Sequence, residues 1–126
     1  MTDITMNQYQ KLAERTSGAG KNGERRQIIA ALGLAGEAGE FANMIKKLTA
    51  HGHDIPADVL ADELGDCLWY IAEAATACGL KLDEIANMNV EKLKARPSAR
   101  ERHPGLRQEP TWFQTYLPSI KWVFAR

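Results

Sequence analysis

The chain predicts an all-α fold, and three observations predict it. Two long segments carry apolar residues at spacings of three and four, the helical period. Each also carries an acidic pair at i, i+3, Glu37-Ala38-Gly39-Glu40 and Glu63-Leu64-Gly65-Asp66. On a helix that spacing sets both carboxylates on one face, about 60° apart. Breaker residues then divide the chain into four helical stretches: glycines at 18, 20 and 23, a turn around Gly52, Gly79, and Pro97.

The first stretch opens on Thr5-Met6-Asn7-Gln8, which has the form of a capping box and predicts a helix over 6–15. Met6, Tyr9, Leu12 and Ala13 fall on one side of it. Residues 16–23 read as a loop. A long helix over 24–48 follows. Leu34, Ala38, Phe41, Ile45 and Leu48 make its apolar stripe, and Ile28, Leu32, Ala35 and Gly39 a neighbouring one. So broad an arc predicts burial over most of the circumference. Glu37 and Glu40 lie off that arc, beside Gly33 and Gly36. Glycine inside a helix costs roughly 1 kcal/mol relative to alanine. Small residues at this place serve either tight helix packing or the close approach of a ligand.

Residues 49–55 form a turn, and Pro56 suits the first position of a third helix, where its missing N–H costs nothing. That helix is expected to run to 78 and to end on Gly79 as its C′ residue. Leu60, Leu64, Leu68, Ile71, Ala75 and Cys78 make its apolar face, with Glu63, Asp66 and Tyr70 on an adjoining stripe. A fourth helix, 83–96, is stopped by Pro97. Ile85, Met88, Leu93 and either Ala86 or Val90 give its apolar side. Asn89, Lys92 and Arg96 share another side. Residues 97–126 change character: four prolines break them up, and they hold five of the nine aromatic residues, Trp112, Phe113, Tyr116, Trp122 and Phe124. So aromatic a segment is expected to pack on something, either its own body or a partner subunit. The organisation read from the chain is therefore a helical domain, 1–96, and a C-terminal arm, 97–126.

The 126 residues suit one modest core. Lys+Arg and Asp+Glu both number 16, a balance that argues against a general nucleic-acid binder. Residues 1–96 carry 11 basic and 14 acidic groups, and residues 97–126 carry five basic and two acidic. Cys67 and Cys78 lie eleven apart on one predicted helix, about 16 Å. They cannot pair within the chain and read as buried thiols of a reducing compartment. No basic start followed by an apolar run opens the chain, and no run of apolar residues reaches membrane-span length. The expectation is a cytoplasmic protein with no membrane partner.

Glu37, Glu40, Glu63 and Asp66, from two helices, can converge on one point. Unpaired they would repel, and a hard cation such as Mg²⁺ would remove that repulsion. The plain alternative is four solvated surface acids. His51 and His53 read as loop surface, because a zinc site needs more ligands. No histidine stands three residues after a glutamate, against a di-iron bundle, and no G-x-x-x-x-G-K-[ST] loop is present. Trp69 and Tyr70 flank the second acidic pair, where core packing and base stacking both remain open for Trp69.

The run Leu34-Ala35-Gly36-Glu37-Ala38-Gly39-Glu40, then Asp62-Glu63-Leu64-Gly65-Asp66-Cys67-Leu68-Trp69-Tyr70, then Asn89-Val90-Glu91-Lys92-Leu93-Lys94-Ala95-Arg96, resembles the all-α nucleoside triphosphate pyrophosphohydrolases of the MazG type. The resemblance spans roughly residues 4–96. It implies a MazG-type bundle of four to five helices completed by dimerisation, as a homodimer or tetramer. It also implies Mg²⁺-dependent cleavage of a nucleoside triphosphate to the monophosphate and pyrophosphate, with Mn²⁺ as an alternative ion. Glu37, Glu40, Glu63 and Asp66 would then be the metal-binding and catalytic set. Asn89, Lys92 and Arg96 would contact substrate, with Lys46 and Lys47 as weaker candidates. A narrower dUTPase- or dCTPase-like hydrolase and a helical interaction module without turnover stand as alternatives. The chain departs from the resemblance at Lys81, where relatives often place Ser or Thr as the cap of the last helix; here the cap is expected to be Asp83 or absent. It departs again where Pro97 and the aromatic arm follow Arg96.

Overall fold

The structure, a computed structural model, describes residues 3–97 except 19, 21 and 22. Among them stand four helices and no strand: α1 Met6–Glu14, α2 Gly23–Ala50, α3 Ala57–Ala77 and α4 Leu82–Lys94. The all-α expectation holds. The arm lies outside the described residues.

Local chemistry explains most of the boundaries. At the start of α1, Gln8 N donates to Thr5 Oγ1 (3.1 Å) and Thr5 N to Gln8 Oε1 (2.7 Å), a complete capping box. Gly52, with φ at +65°, turns the chain out of α2. Pro56 sits one position earlier than expected. It is the N-cap of α3 rather than its first residue, and its carbonyl accepts from Leu60 N (3.3 Å). Gly79 closes α3 as anticipated, with φ +70°. Leu80 N reaches Ala75 O (2.8 Å) and Gly79 N reaches Thr76 O (3.1 Å), the paired bonds of a Schellman motif.

The cap of α4 comes from an unexpected place. Lys81 is the N-cap residue and its side chain caps nothing. Two residues of α1 do the work across the fold: Gln10 Oε1 accepts from Leu82 N (2.9 Å) and Asn7 Oδ1 from Asp83 N (3.1 Å). Gln10 Nε2 also donates to Thr76 Oγ1 (3.0 Å) and Leu80 O (2.9 Å). One glutamine thus ties α1 to the α3–α4 turn and satisfies an otherwise orphaned helix-end N–H. Asp83, the expected cap, is the second residue of α4.

α2 and α3 form an antiparallel hairpin. As α2 advances, its partners on α3 recede: Arg26 meets Glu73 and Gln27 the carbonyl of Ala77 at one end, Gly33 meets Tyr70, and Glu37 and Glu40 meet Glu63 further along. α1 lies against α3 and α4. The core is small and rich in alanine: Ala13, Ala72, Ala75 and Leu82, with Tyr9, Trp69 and Ile85 packed around it.

The broad apolar arcs are therefore only partly covered. On α2 the first stripe, Leu34, Phe41, Ile45 and Leu48, is half-buried, but Ile28 is 55% and Leu32 70% exposed. Among the described residues that circumference is not buried over most of its extent, because α3 is the main helix packed on α2. Leu64 and Ile71 of α3 and Met88 and Leu93 of α4 are exposed as well. The thiols also correct the expectation: Cys67 is half-buried and Cys78, at the α3 cap, is exposed. By length and composition alone α2 could cross a membrane. It carries Glu37 and Glu40 along its length, however, and each mid-membrane carboxylate would cost roughly 2.5–3.5 kcal/mol. Its apolar residues are equally those of a helix–helix interface.

Candidate active site between helices α2 and α3

The antiparallel hairpin brings the first acidic pair against Glu63 of the second. Glu37 and Glu40, one turn apart on α2, face Glu63 of α3, and one carboxylate oxygen from each lies within 4.8 Å of the others. Glu37 and Glu63 are half-buried and Glu40 is exposed. All three donors are hard anionic oxygens. Mg²⁺ binds oxygen at 2.0–2.1 Å in an octahedron, so its donors stand roughly 3–4 Å apart. The observed oxygens are spread somewhat wider than that, and three facing carboxylate donors are of the chemistry that fits a hard divalent cation.

Electrostatics point the same way. Partial removal from water, then the charges of Glu40 and Asp66, raise the Glu37 carboxyl above its ordinary value. Glu63 is raised by partial burial first, then by Glu40, Glu37, Asp66 and Asp62. None of the ion pairs among the described residues involves these four carboxylates. Among the described residues the cluster is a concentration of negative charge with no ion-pair partner, the situation a bound cation relieves.

Asp66 stands apart. It is exposed and lies outside the three-oxygen group, although its charge is felt by Glu37, Glu63 and Tyr9. Asp66 lies on the stripe of α3 that continues through Trp69, Glu73 and Thr76, which bond Thr16, Ser17 and Gln10, while Glu73 also takes Arg26 of α2. Glu63 belongs to the side facing α2.

The basic candidates are not drawn in. Asn89 and Lys92 on α4, whose main partner is α1, are exposed, as is Arg96, which lies just past the C-cap Ala95 because the helix ends at Lys94 and not at 96. No hydrogen bond or ion pair among the described residues links Lys92 or Arg96 to the carboxylates. Lys46 and Lys47 are exposed on the last turns of α2. Trp69 serves packing: its Nε1 donates to Thr16 Oγ1 (2.8 Å) and it lies against the core. His51 and His53 meet edge to face at 6.2 Å on the exposed turn.

Two titratable groups outside the acidic cluster carried no functional signal in the sequence. Tyr9 of α1 packs on the core, and burial, then the charge of Asp66, raises its phenol. Glu73 is buried and takes Arg26 on both oxygens. Neither pairing has a local spacing that announces it. Only the hairpin register could have revealed that Arg26 stands opposite Glu73.

A helical hairpin thus gathers three carboxylates, two from an E-x-x-E pair and one from an E-x-x-D pair, into a group that could hold a cation. The model of the MazG nucleotide pyrophosphohydrolase domain matches residues 27–101, more than half of the chain, and the chain belongs to that family. It is also similar to the Gene 37 protein of Mycobacterium phage L5, 38% identical over 69 residues, which covers 52% of this chain and 60% of the relative. The chain thus spans about three fifths of that relative's length. No solved structure matches.

Proposed function

We propose that this protein hydrolyses nucleoside or deoxynucleoside triphosphates to the monophosphate and pyrophosphate in a Mg²⁺-dependent reaction, as nucleotide-pool housekeeping in the cytoplasm. The observation that carries the reading is the meeting of Glu37, Glu40 and Glu63 oxygens within 4.8 Å, inside the segment that matches the family. These three hold the cation, and Asp66 is the fourth acid of the set. Mg²⁺ or Mn²⁺ held there supplies charge neutralisation for phosphate oxygens and lowers the pKa of bound water. A carboxylate of the set that the cation leaves free accepts the proton of the attacking water. Asn89, Lys92 and Arg96 contribute hydrogen bonds and positive charge to phosphate, with the arginine able to bind two oxygens at once.

The catalytic unit is residues 1–96, and the arm, 97–126, is accessory to it. The working form is a homodimer or tetramer. Ile28 and Leu32 on α2 and Leu64 and Ile71 on α3 are exposed in one chain. Fully burying each would contribute about 1.5–3 kcal/mol. An assembly that covers them also offers a route for the α4 cations of one subunit to reach the carboxylates of another.

A pyrophosphate-release screen over the eight common NTPs and dNTPs, with Mg²⁺ and with excess chelator, tests the reading. Metal-dependent release from several substrates supports it. Release confined to dUTP or dCTP selects the narrower hydrolase. Nucleotide binding without release from any substrate selects the interaction module and contradicts the proposal.

A further inference from the structure

Gly33 is the glycine near the acidic pairs that the packing requires. A Cβ built on it would collide with the ring of Tyr70, on its Cε1, Cζ and Cδ1 atoms. At Gly36, Gly39 and Gly65 a Cβ would meet nothing within 4 Å. The Tyr70 ring has a neighbour of its own. It stands edge to face with Trp69, centroids 4.8 Å apart at 89°. Trp69 in turn is tied to Thr16 by the 2.8 Å bond from its indole nitrogen. A row of contacts therefore runs from Thr16 through Trp69 and Tyr70 to the bare backbone of α2 at Gly33.

That contact lies in the layer of the hairpin next to the carboxylates. Gly33 precedes Glu37 by one helical turn and Glu40 by two; Tyr70 follows Glu63 by two turns on the same side of α3. We propose that Gly33 and Tyr70 are a positioning pair: the ring seated on the glycine sets the separation of α2 and α3 at which Glu37, Glu40 and Glu63 can share one divalent cation. This rests on the metal reading of the acidic cluster and adds the residues that tune it. The three ligands come from both helices, so any widening of the hairpin parts Glu63 from Glu37 and Glu40 directly. The 4.8 Å spread already exceeds the roughly 3–4 Å donor spacing of an octahedral Mg²⁺, so widening moves the set further from the geometry the ion demands. A methyl group at position 33 would push the ring and α2 apart and loosen the site without touching a ligand.

Mn²⁺ titration of the full chain, followed by the EPR signal of free Mn²⁺ with no nucleotide present, reads this independently of turnover. Gly33→Ala is expected to weaken Mn²⁺ binding by about tenfold or more, the scale on which groups behind the ligands tune metal affinity. Gly36→Ala makes the same change in helix propensity where there is open space, and Tyr70→Phe keeps the ring; both are expected to bind as the wild type does. Should Gly33→Ala fail to fold by circular dichroism, Tyr70→Trp gives the same contrast, because a larger ring also opens the gap. Wild-type affinity in whichever of Gly33→Ala or Tyr70→Trp folds overturns the proposal. So does an equal loss in Gly36→Ala or Tyr70→Phe, which would trace the effect to helix propensity or to the hydroxyl. If the wild type itself binds no Mn²⁺, the metal reading fails and the pair has nothing to position; if the wild type binds and Gly33→Ala binds equally, only the positioning role falls.

Discussion

Arg26 of α2 grips Glu73 of α3 with two parallel bonds, Nε to Oε1 at 2.5 Å and Nη2 to Oε2 at 2.9 Å. Glu73 is 1% exposed, and its Oε1 also accepts from Ser17 Oγ at 2.6 Å. Arg26 Nη1 reaches Glu14 at 3.4 Å. One buried carboxylate therefore joins α2, α3 and the loop after α1, at the opposite end of the hairpin from the tip where α2 turns into α3. In a core built largely of alanine, this network helps define how the helices meet.

Breaking that pair leaves a buried charge without its partner. Glu73→Gln is expected to destabilise the fold by about 3–5 kcal/mol, because Arg26 stays in place while its counter-charge is lost. Urea denaturation followed by circular dichroism measures it; a loss under about 1 kcal/mol, the range of a surface pair, would show that the pair contributes little.

The same carboxylate sets an acid limit. The Arg26 hydrogen bonds hold the Glu73 carboxyl below its ordinary value, with Ser17 helping and burial opposing. A carboxyl lowered in the folded state contributes stability that is fully present above the unfolded pKa of about 4.3 and is lost as pH falls through the folded value. The melting temperature is expected to drop below about pH 4.5, and Glu73→Gln to flatten that drop. A wild-type melting temperature unchanged down to pH 3 would refute the linkage.

The acidic cluster behaves in the opposite sense. Glu37 and Glu63 are raised in the folded state, so without metal they detract from stability as pH rises through their folded values. Glu40→Gln or Glu63→Gln is expected to keep or raise the metal-free melting temperature and to lose the stabilisation that added Mg²⁺ gives the wild type. Turnover is expected to fall by about a hundredfold or more, the scale of losing one charge-stabilising group. Near-normal turnover at saturating Mg²⁺ would remove these residues from the site.

Assembly is tested on the exposed stripe and on the arm separately. Leu32, 70% exposed, is expected on this account to lie in a subunit contact, so Leu32→Glu should shift light scattering towards a smaller species. Deleting residues 110–126 removes all five arm aromatics and is expected to lower the melting temperature or change the assembly. A truncated protein with the same mass in solution and the same melting temperature would make the arm a passive tail.

The helices and the carboxylate pairs were legible in the sequence because their signals are local. The Thr5–Gln8 box, Gly79 and the i, i+3 acids each act within a turn or two of chain. What escaped depends on register between distant segments. Lys81 looked like a missing cap because the caps, Asn7 and Gln10, lie more than 70 residues away in sequence. Glu73 has no local signal, because its partner Arg26 comes from the facing helix of the hairpin. Of three glycines on α2 beside the acids, spacing could not say which one carried packing; the Tyr70 ring picks out Gly33. That Asp66 stands outside the group of the other three acids likewise shows only once the two helices are set together.

The most direct measurement is the fate of oxygen in a single reaction. With the best substrate from the screen, Mg²⁺ and ¹⁸O-labelled water, attack at the α-phosphorus places the label on the nucleoside monophosphate and releases unlabelled pyrophosphate. The account predicts that outcome, abolished by chelator. Label in released phosphate or pyrophosphate, a nucleoside diphosphate product, or an unchanged rate without metal would contradict it.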